Sequence, residues 1–283
     1  MNHNELLYLV YISQIVLISV VIPFWAVNRV NRMLENYPPA SYAKLYPVSL
    51  AAINYAISTF KIMNALMVMI GLLILGFTAV NGAEELMNWD TQSMLTITFI
   101  LQLLPFLYLG LSGVKYQQLM RQVGQPSKRK AQLTRRNMMD FVPKHLLMAA
   151  FISFIAYVLM VIYIQQNPFP GFVGYWNILF VFLLNVFYFF MIHRIISGKK
   201  MDPHQSHDDR MNHTHLVVKL LTMGAILANL FLTINLVLSV LDLRHIGDII
   251  QSLYFQLVAL MMSQTTTYEP DNYDVYRTDA KPA

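Results

Sequence analysis

The stretch "LLMAAFISFIAYVLMVIYI", residues 146–164, decides the fold. It contains no Asp, Glu, Lys or Arg, and Ser153, Tyr157 and Tyr163 are its only polar side chains. About 20 predominantly apolar residues make a helix long enough to cross a ~30 Å hydrocarbon layer. Five more stretches read the same way: Leu6–Val27, Ile62–Val80, Met94–Val114, Trp176–Ile192 and Leu216–Leu241. None holds an Asp, Glu or Arg, and Lys219 is their only charge. A seventh stretch, Ile249–Met262, is shorter and carries Gln251 and Gln256. It is read as a span, against the alternative of an amphipathic helix lying in the interface. The predicted fold is an all-α integral membrane protein, a bundle of seven transmembrane helices of which the seventh is short.

Composition agrees with this reading. Of 283 residues, 56% are apolar and 12% charged, where soluble domains carry roughly 25% charge. The chain has no cysteine, which excludes disulfides, thiolate metal sites and thiol catalysis. The first span reads as a true span. "MNHNE" offers no basic n-region, and the apolar run ends in "NRVNR" instead of small residues suited to cleavage.

Loop charge predicts the orientation. Most of the 20 lysines and arginines follow spans one, three and five. They are Arg29, Arg32, Lys44 and Lys61; Lys115, Arg121, Lys128, Arg129, Lys130, Arg135, Arg136 and Lys144; then Arg194, Lys199, Lys200, Arg210 and Lys219. The segments "NGAEELMNWDTQ" and "QQNPFPGFVGY" after spans two and four have none, and Arg244 alone follows span six. The expectation is a cell membrane protein (inner or plasma membrane) with its N-terminus outside and its C-terminus cytoplasmic. The net charge of +5 therefore points to anionic headgroups at the cytoplasmic linkers, at about 1 kcal/mol per basic residue near the surface. Nucleic acid is not an expected partner.

The pattern of span, basic linker and returning span occurs three times, each return starting at a lysine: Lys61, Lys144 and Lys219. Asn137 and Lys144 align with Asn212 and Lys219. This allows three helix-hairpin repeats, although snorkelling lysines at helix starts give the same pattern. Residues 1–263 are read as one polytopic membrane domain. Residues 264–283, "QTTTYEPDNYDVYRTDAKPA", are read as an acidic, tyrosine-rich, disordered tail.

Three groups of residues are candidate sites. "MDPHQSHDDRMNHTH", residues 201–215, holds half of the chain's 8 histidines. Asp202-Pro203-His204-Gln205 reads as a helix start. On such a helix His204, His207 and Asp208 share a face and could hold Zn²⁺ or Mn²⁺. The favoured expectation is a solvated linker that binds no metal tightly. His145, His193 and His215 sit at the cytoplasmic ends of spans four, five and six, where two of them could be axial haem ligands. Amphipathic imidazoles also suit an interface. Gln102, Asn185, Thr222, Asn229 and Thr233 are uncharged polar residues inside spans. They could line a substrate pathway, but interhelical hydrogen bonding is the favoured reading. Pro23 and Pro105 are expected to kink spans one and three.

No span carries a carboxylate for ion coupling, and no Walker sequence or intramembrane Ser/His/Asp set is present. A retinal protein needs a lysine in its last span, and there is none between Lys219 and Lys281. The function expected is therefore a multi-pass membrane protein without an evident catalytic site, transporter-like or an accessory or sensory subunit with a protein partner. Neither an enzyme nor a cofactor is expected. The alternative is a membrane redox enzyme, or a metal- or haem-binding protein, using the cytoplasmic-side histidines.

Overall fold

The computed structural model describes residues 3–81, 92–123, 138–198, 202–270 and 273–277. Lys128, Arg129, Lys130, Arg135, Arg136, Asn137, Lys199, Lys200 and the end of the tail lie outside the described residues. Every regular element among the described residues is helical. The main helices are α1 (His3–Val16), α2 (Ile22–Asn36), α3 (Leu50–Asn81), α4 (Gln92–Val123), α5 (Lys144–Ile164), α6 (Trp176–Ser197), α7 (His207–Val240) and α8 (Gly247–Thr266). Six segments are long and apolar enough to cross a membrane: Glu5–Asn36, Leu50–Val80, Leu95–Gln122, Lys144–Ile164, Trp176–Ser197 and His207–Val240. The six longer spans read from the sequence coincide with these.

Helix ends follow local chemistry. Pro143, extended at ψ 138°, opens α5, as a residue without a backbone N–H can at a helix start. The α5–α6 loop "NPFPGFVG" turns through Gly171 and Gly174, both at positive φ. The start of α7 differs from the expectation. Asp202 Oδ1 accepts the backbone N–H groups of His204 (2.8 Å) and Gln205 (3.3 Å), which makes an Asx turn and not a helix cap. The helix starts at His207. Ser206 Oγ accepts the Asp209 N–H at 3.0 Å and donates to Asp209 Oδ2 at 2.6 Å. Ser206 thus caps the helix, its hydroxyl held by the Asp209 carboxylate three residues on.

The first span is not a uniform helix. Between α1 and α2, Leu17–Val21 forms one π turn, closed by the Ile22 N–H on the Leu17 carbonyl. Pro23 follows within the first turn of α2. It has no N–H for the Ser19 carbonyl, and a π turn is one way to accommodate that loss.

The chain forms two compact units. The first comprises residues 1–133, 199–212 and 263–283, and the second residues 134–198 and 213–262. This division does not follow the three expected hairpins. In the first unit, Tyr11, Ile15 and Leu95 are buried with Val68, Ile74 and Leu75 packed on them. A second apolar layer joins Ala26, Val27 and Phe60 to Ile57, Phe106 and Leu109. Gly71 lets α3 approach α1, because a Cβ there would lie 2.8 Å from Ile15 Cδ1. In the second unit, Tyr157, Val161, Ile164, Val181 and Leu236 form the core. Phe180, Phe182, Phe187, Phe189 and Phe190 are exposed along α6. So continuous an apolar surface suits lipid and not water.

Candidate functional site

The first unit holds a layer of buried polar side chains between its two apolar layers. Gln14 Nε2 donates to Gln102 Oε1 at 3.0 Å, and Gln102 Nε2 donates to Ser19 Oγ at 3.2 Å. Gln14, Ser19 and Gln102 are 0%, 4% and 1% exposed. Tyr11 donates to Thr98 Oγ1 at 3.3 Å. Asn64 on α3 is also buried; its Nδ2 donates to the Phe60 carbonyl at 2.8 Å, while its Oδ1 has no hydrogen-bond partner.

Sequence spacing places these groups at one depth. On α3, Phe60, Asn64, Val68 and Gly71 share a face at i, i+4, i+8 and i+11. Phe60 belongs to one apolar layer and Val68 to the other. Gln102 on α4 lies likewise between Leu95 and Phe106, and Ser19 between Ile15 and Ala26. Two prolines stand one turn away, Pro23 four residues after Ser19 and Pro105 three after Gln102, inside the continuous α4. Each removes the N–H that would take a helical carbonyl, Ser19's and Leu101's respectively.

The other in-span candidates form a separate network in the second unit. Asn185 and Asn229 exchange side-chain hydrogen bonds at 2.9 and 3.2 Å, and Asn229 Nδ2 also donates to Ser153 Oγ at 3.1 Å. This ties α5, α6 and α7 together. Thr222 and Thr233 instead donate back to the Val218 and Asn229 carbonyls of their own helix. Gln102 belongs to the first unit and these four residues to the second, and each network closes within its own unit. Both have the form of interhelical hydrogen bonds.

The histidines are dispersed. His145, His193 and His215 are exposed, and His215 Nδ1 lies 3.3 Å from the Phe141 carbonyl. His207 and Asp208 are exposed and His204 is half-buried, its ring 6.2 Å from that of Tyr276. Among the described residues, no group of three His, Asp or Glu is placed to hold a metal ion.

Several of the tail's described residues are packed. Tyr273 and Tyr276 are buried in a cluster with Tyr42, Leu45 and Met120, and Tyr273 stacks on Tyr37 at 3.9 Å. Tyr276 donates to Asp202 Oδ2 at 2.5 Å, and Tyr268 donates to the Asp209 carbonyl at 3.2 Å. Arg29 donates to the Thr266 carbonyl at 2.6 Å, and Arg32 pairs with Glu269 at 3.1 Å. Burial, with the Asp202 charge second, pushes the Tyr276 phenol above its ordinary range. Tyrosine carries an apolar ring behind one hydroxyl, so Tyr276 can be buried while its hydroxyl bonds to Asp202.

Gln14, Ser19, Asn64 and Ser153 were not among the candidates read from the sequence. A usable signal existed for one of them. Ser19, like the candidate Gln102, precedes a proline by about one turn. Compared with known proteins, the chain matches no family model, no curated protein and no solved structure.

Proposed function

We propose that this chain is a transporter-like multi-pass membrane protein whose binding site is the polar layer of its first unit, around Gln14, Ser19, Asn64 and Gln102. One observation carries the reading. Buried polar side chains gather where one span is interrupted by a π turn just before Pro23 and a second span carries Pro105 inside a continuous helix. Interrupted helices near mid-membrane are how transporters present backbone and side-chain groups to a solute, and π turns recur at functional sites.

The absence of cysteine gives a direct test. Single cysteines at Ser19, Asn64 and Gln102 should react with a small membrane-impermeant thiol reagent, because a solute site must open to water. A cysteine at Ile15, in the apolar layer, should not react. Equal inertness at all four positions would make the layer simple packing and end the proposal. A Soret band or stoichiometric iron in purified protein would instead favour a redox protein using the cytoplasmic-side histidines.

The topology we propose has seven spans, with the N-terminus outside and the C-terminus in the cytoplasm. Asp209, in the first turn of α7, bonds to Tyr268, just beyond the end of α8. Between them α7 runs 34 residues and α8 20, roughly 50 and 30 Å at helical rise. A chain that leaves along α7 and is back beside its start must return along α8. The stacked rings of Phe231 and Tyr254, 4.2 Å apart, fit that antiparallel hairpin. The faces of α8 also suit a span. Asp248, Gln251, Ser252 and Ser263 are buried, while Leu253, Leu257 and Met262 are exposed, the inverse of an interfacial helix. Exposed Lys61, Lys115, Lys144, Arg194 and Lys219 would meet anionic headgroups on the cytoplasmic side. Reporter fusions at Gly124 and Ala283 should read cytoplasmic and one at Gly171 external. An external Ala283 would leave α8 in the interface.

A further inference from the structure

We infer that the polar layer of the first unit binds a monovalent alkali cation through neutral oxygen atoms, an inference that rests on the binding-site reading above. The layer offers more acceptors than its own donors satisfy. Asn64 is 3% exposed, and its Oδ1 accepts no hydrogen bond. Pro105, inside the continuous α4, has no N–H to offer the Leu101 carbonyl. Gln102 Oε1 takes one hydrogen bond from Gln14, and an amide oxygen has a second lone pair. These groups share one depth, set by the apolar layers above and below.

A buried acceptor without a partner costs about 1–3 kcal/mol, so such a set is relieved by an occupant that brings positive charge or donor hydrogens. The absence of carboxylates chooses the charge. No Asp or Glu lies in the apolar stretches of spans one to three, and a divalent ion taken out of water needs charged ligands. Rings of carbonyl and hydroxyl oxygens suffice for Na⁺ or K⁺. The π turn at Leu17–Val21 matters here, because it displaces the Ser19 backbone from regular helical register beside Gln102.

The test is thermal unfolding of the purified full chain in NaCl, KCl or choline chloride at constant ionic strength. A cation bound only by the folded state raises the unfolding midpoint in proportion to the logarithm of its concentration above Kd. The expected result is such a rise for Na⁺ or K⁺ over choline, absent in Asn64→Leu and in Gln102→Leu and retained in Asn229→Leu, whose polar contacts lie in the other unit. If one layer variant fails to fold, the other and the wild-type ion series still decide. Identical midpoints in all three salts overturn the cation. If Ser19→Cys is nevertheless labelled from water, the binding-site reading survives with an uncharged solute as its ligand. If neither result is positive, both readings fall. A rise that persists in both layer variants also overturns the inference, since the ion would then bind elsewhere.

Discussion

Asn229 shows what one uncharged polar residue does inside an apolar helix. Its amide donates to both Ser153 and Asn185 and accepts from Asn185, so it is 0% exposed with its side-chain groups matched. Such contacts are worth about 0.6–2 kcal/mol in a membrane, because the separated helices also find partners. A double-mutant cycle with Asn185→Leu and Asn229→Leu should therefore return a coupling energy in that range from unfolding midpoints. A coupling near zero would mean that the amide pair is incidental to packing. The contrast with Thr222 and Thr233 is instructive. Asn185, Asn229, Thr222 and Thr233 were all visible in the sequence, but the threonines satisfy themselves on their own backbone and need no neighbour.

At the scale of elements, close approach depends on what is missing. Gly71 presents no Cβ to α1, and Ile15 fills the space. Alanine there meets the flexible end of Ile15, which can yield, so Gly71→Ala should be mild. Gly71→Leu must part α1 from α3, an overpacking typically costing 1–3 kcal/mol. It should lower the unfolding midpoint and weaken the Gln14–Gln102 contact, whose loss would appear as reduced cation response. A leucine variant as stable as wild type would show that the helices separate easily. Element boundaries were legible where covalent structure dictates them, as at Pro143 and in the Gly171–Gly174 loop. They were less legible at α7, where two rival caps, Asp202 and Ser206, both fit the sequence. Asp209 settled the choice by pairing with Ser206, and Asp202 was left for Tyr276.

For the whole molecule, the tail acts as a strap. In the first unit it joins the end of α2 through Arg29 and Arg32, the loop after it through Tyr37 and Tyr42, and the histidine-rich linker through Asp202 and Asp209. Its pH response follows from Tyr276. The folded phenol is held above its ordinary value of 10.0 by burial, then by the charges of Asp202, Tyr273 and Asp209. Its contribution is thus fully present below pH 10 and declines as pH rises further, because the released tyrosine ionises first. Hydrogen exchange at residues 202–209 should accelerate above pH 10 beyond the intrinsic base-catalysed rate. In Tyr276→Phe that extra acceleration should vanish and exchange should be faster already at pH 8. Equal protection in both proteins would mean that the strap does not hold the linker.

The sequence alone determined the six long spans. Apolar length against bilayer thickness is a local quantity, and backbone groups in lipid are satisfied within the helix itself. It also determined the charge asymmetry of the linkers. Which polar residues meet was decided only in three dimensions. Gln14 and Gln102 are separated by most of two spans and a linker, and their contact depends on the approach that Gly71 allows and the register that the π turn sets. The tail is the clearest case. Its residues are too polar to form a core by themselves, and Tyr273 and Tyr276 become core residues only because distant segments present Tyr37, Tyr42, Met120 and Asp202 together. Composition averages over a segment, whereas burial depends on the partners that the folded chain brings to it.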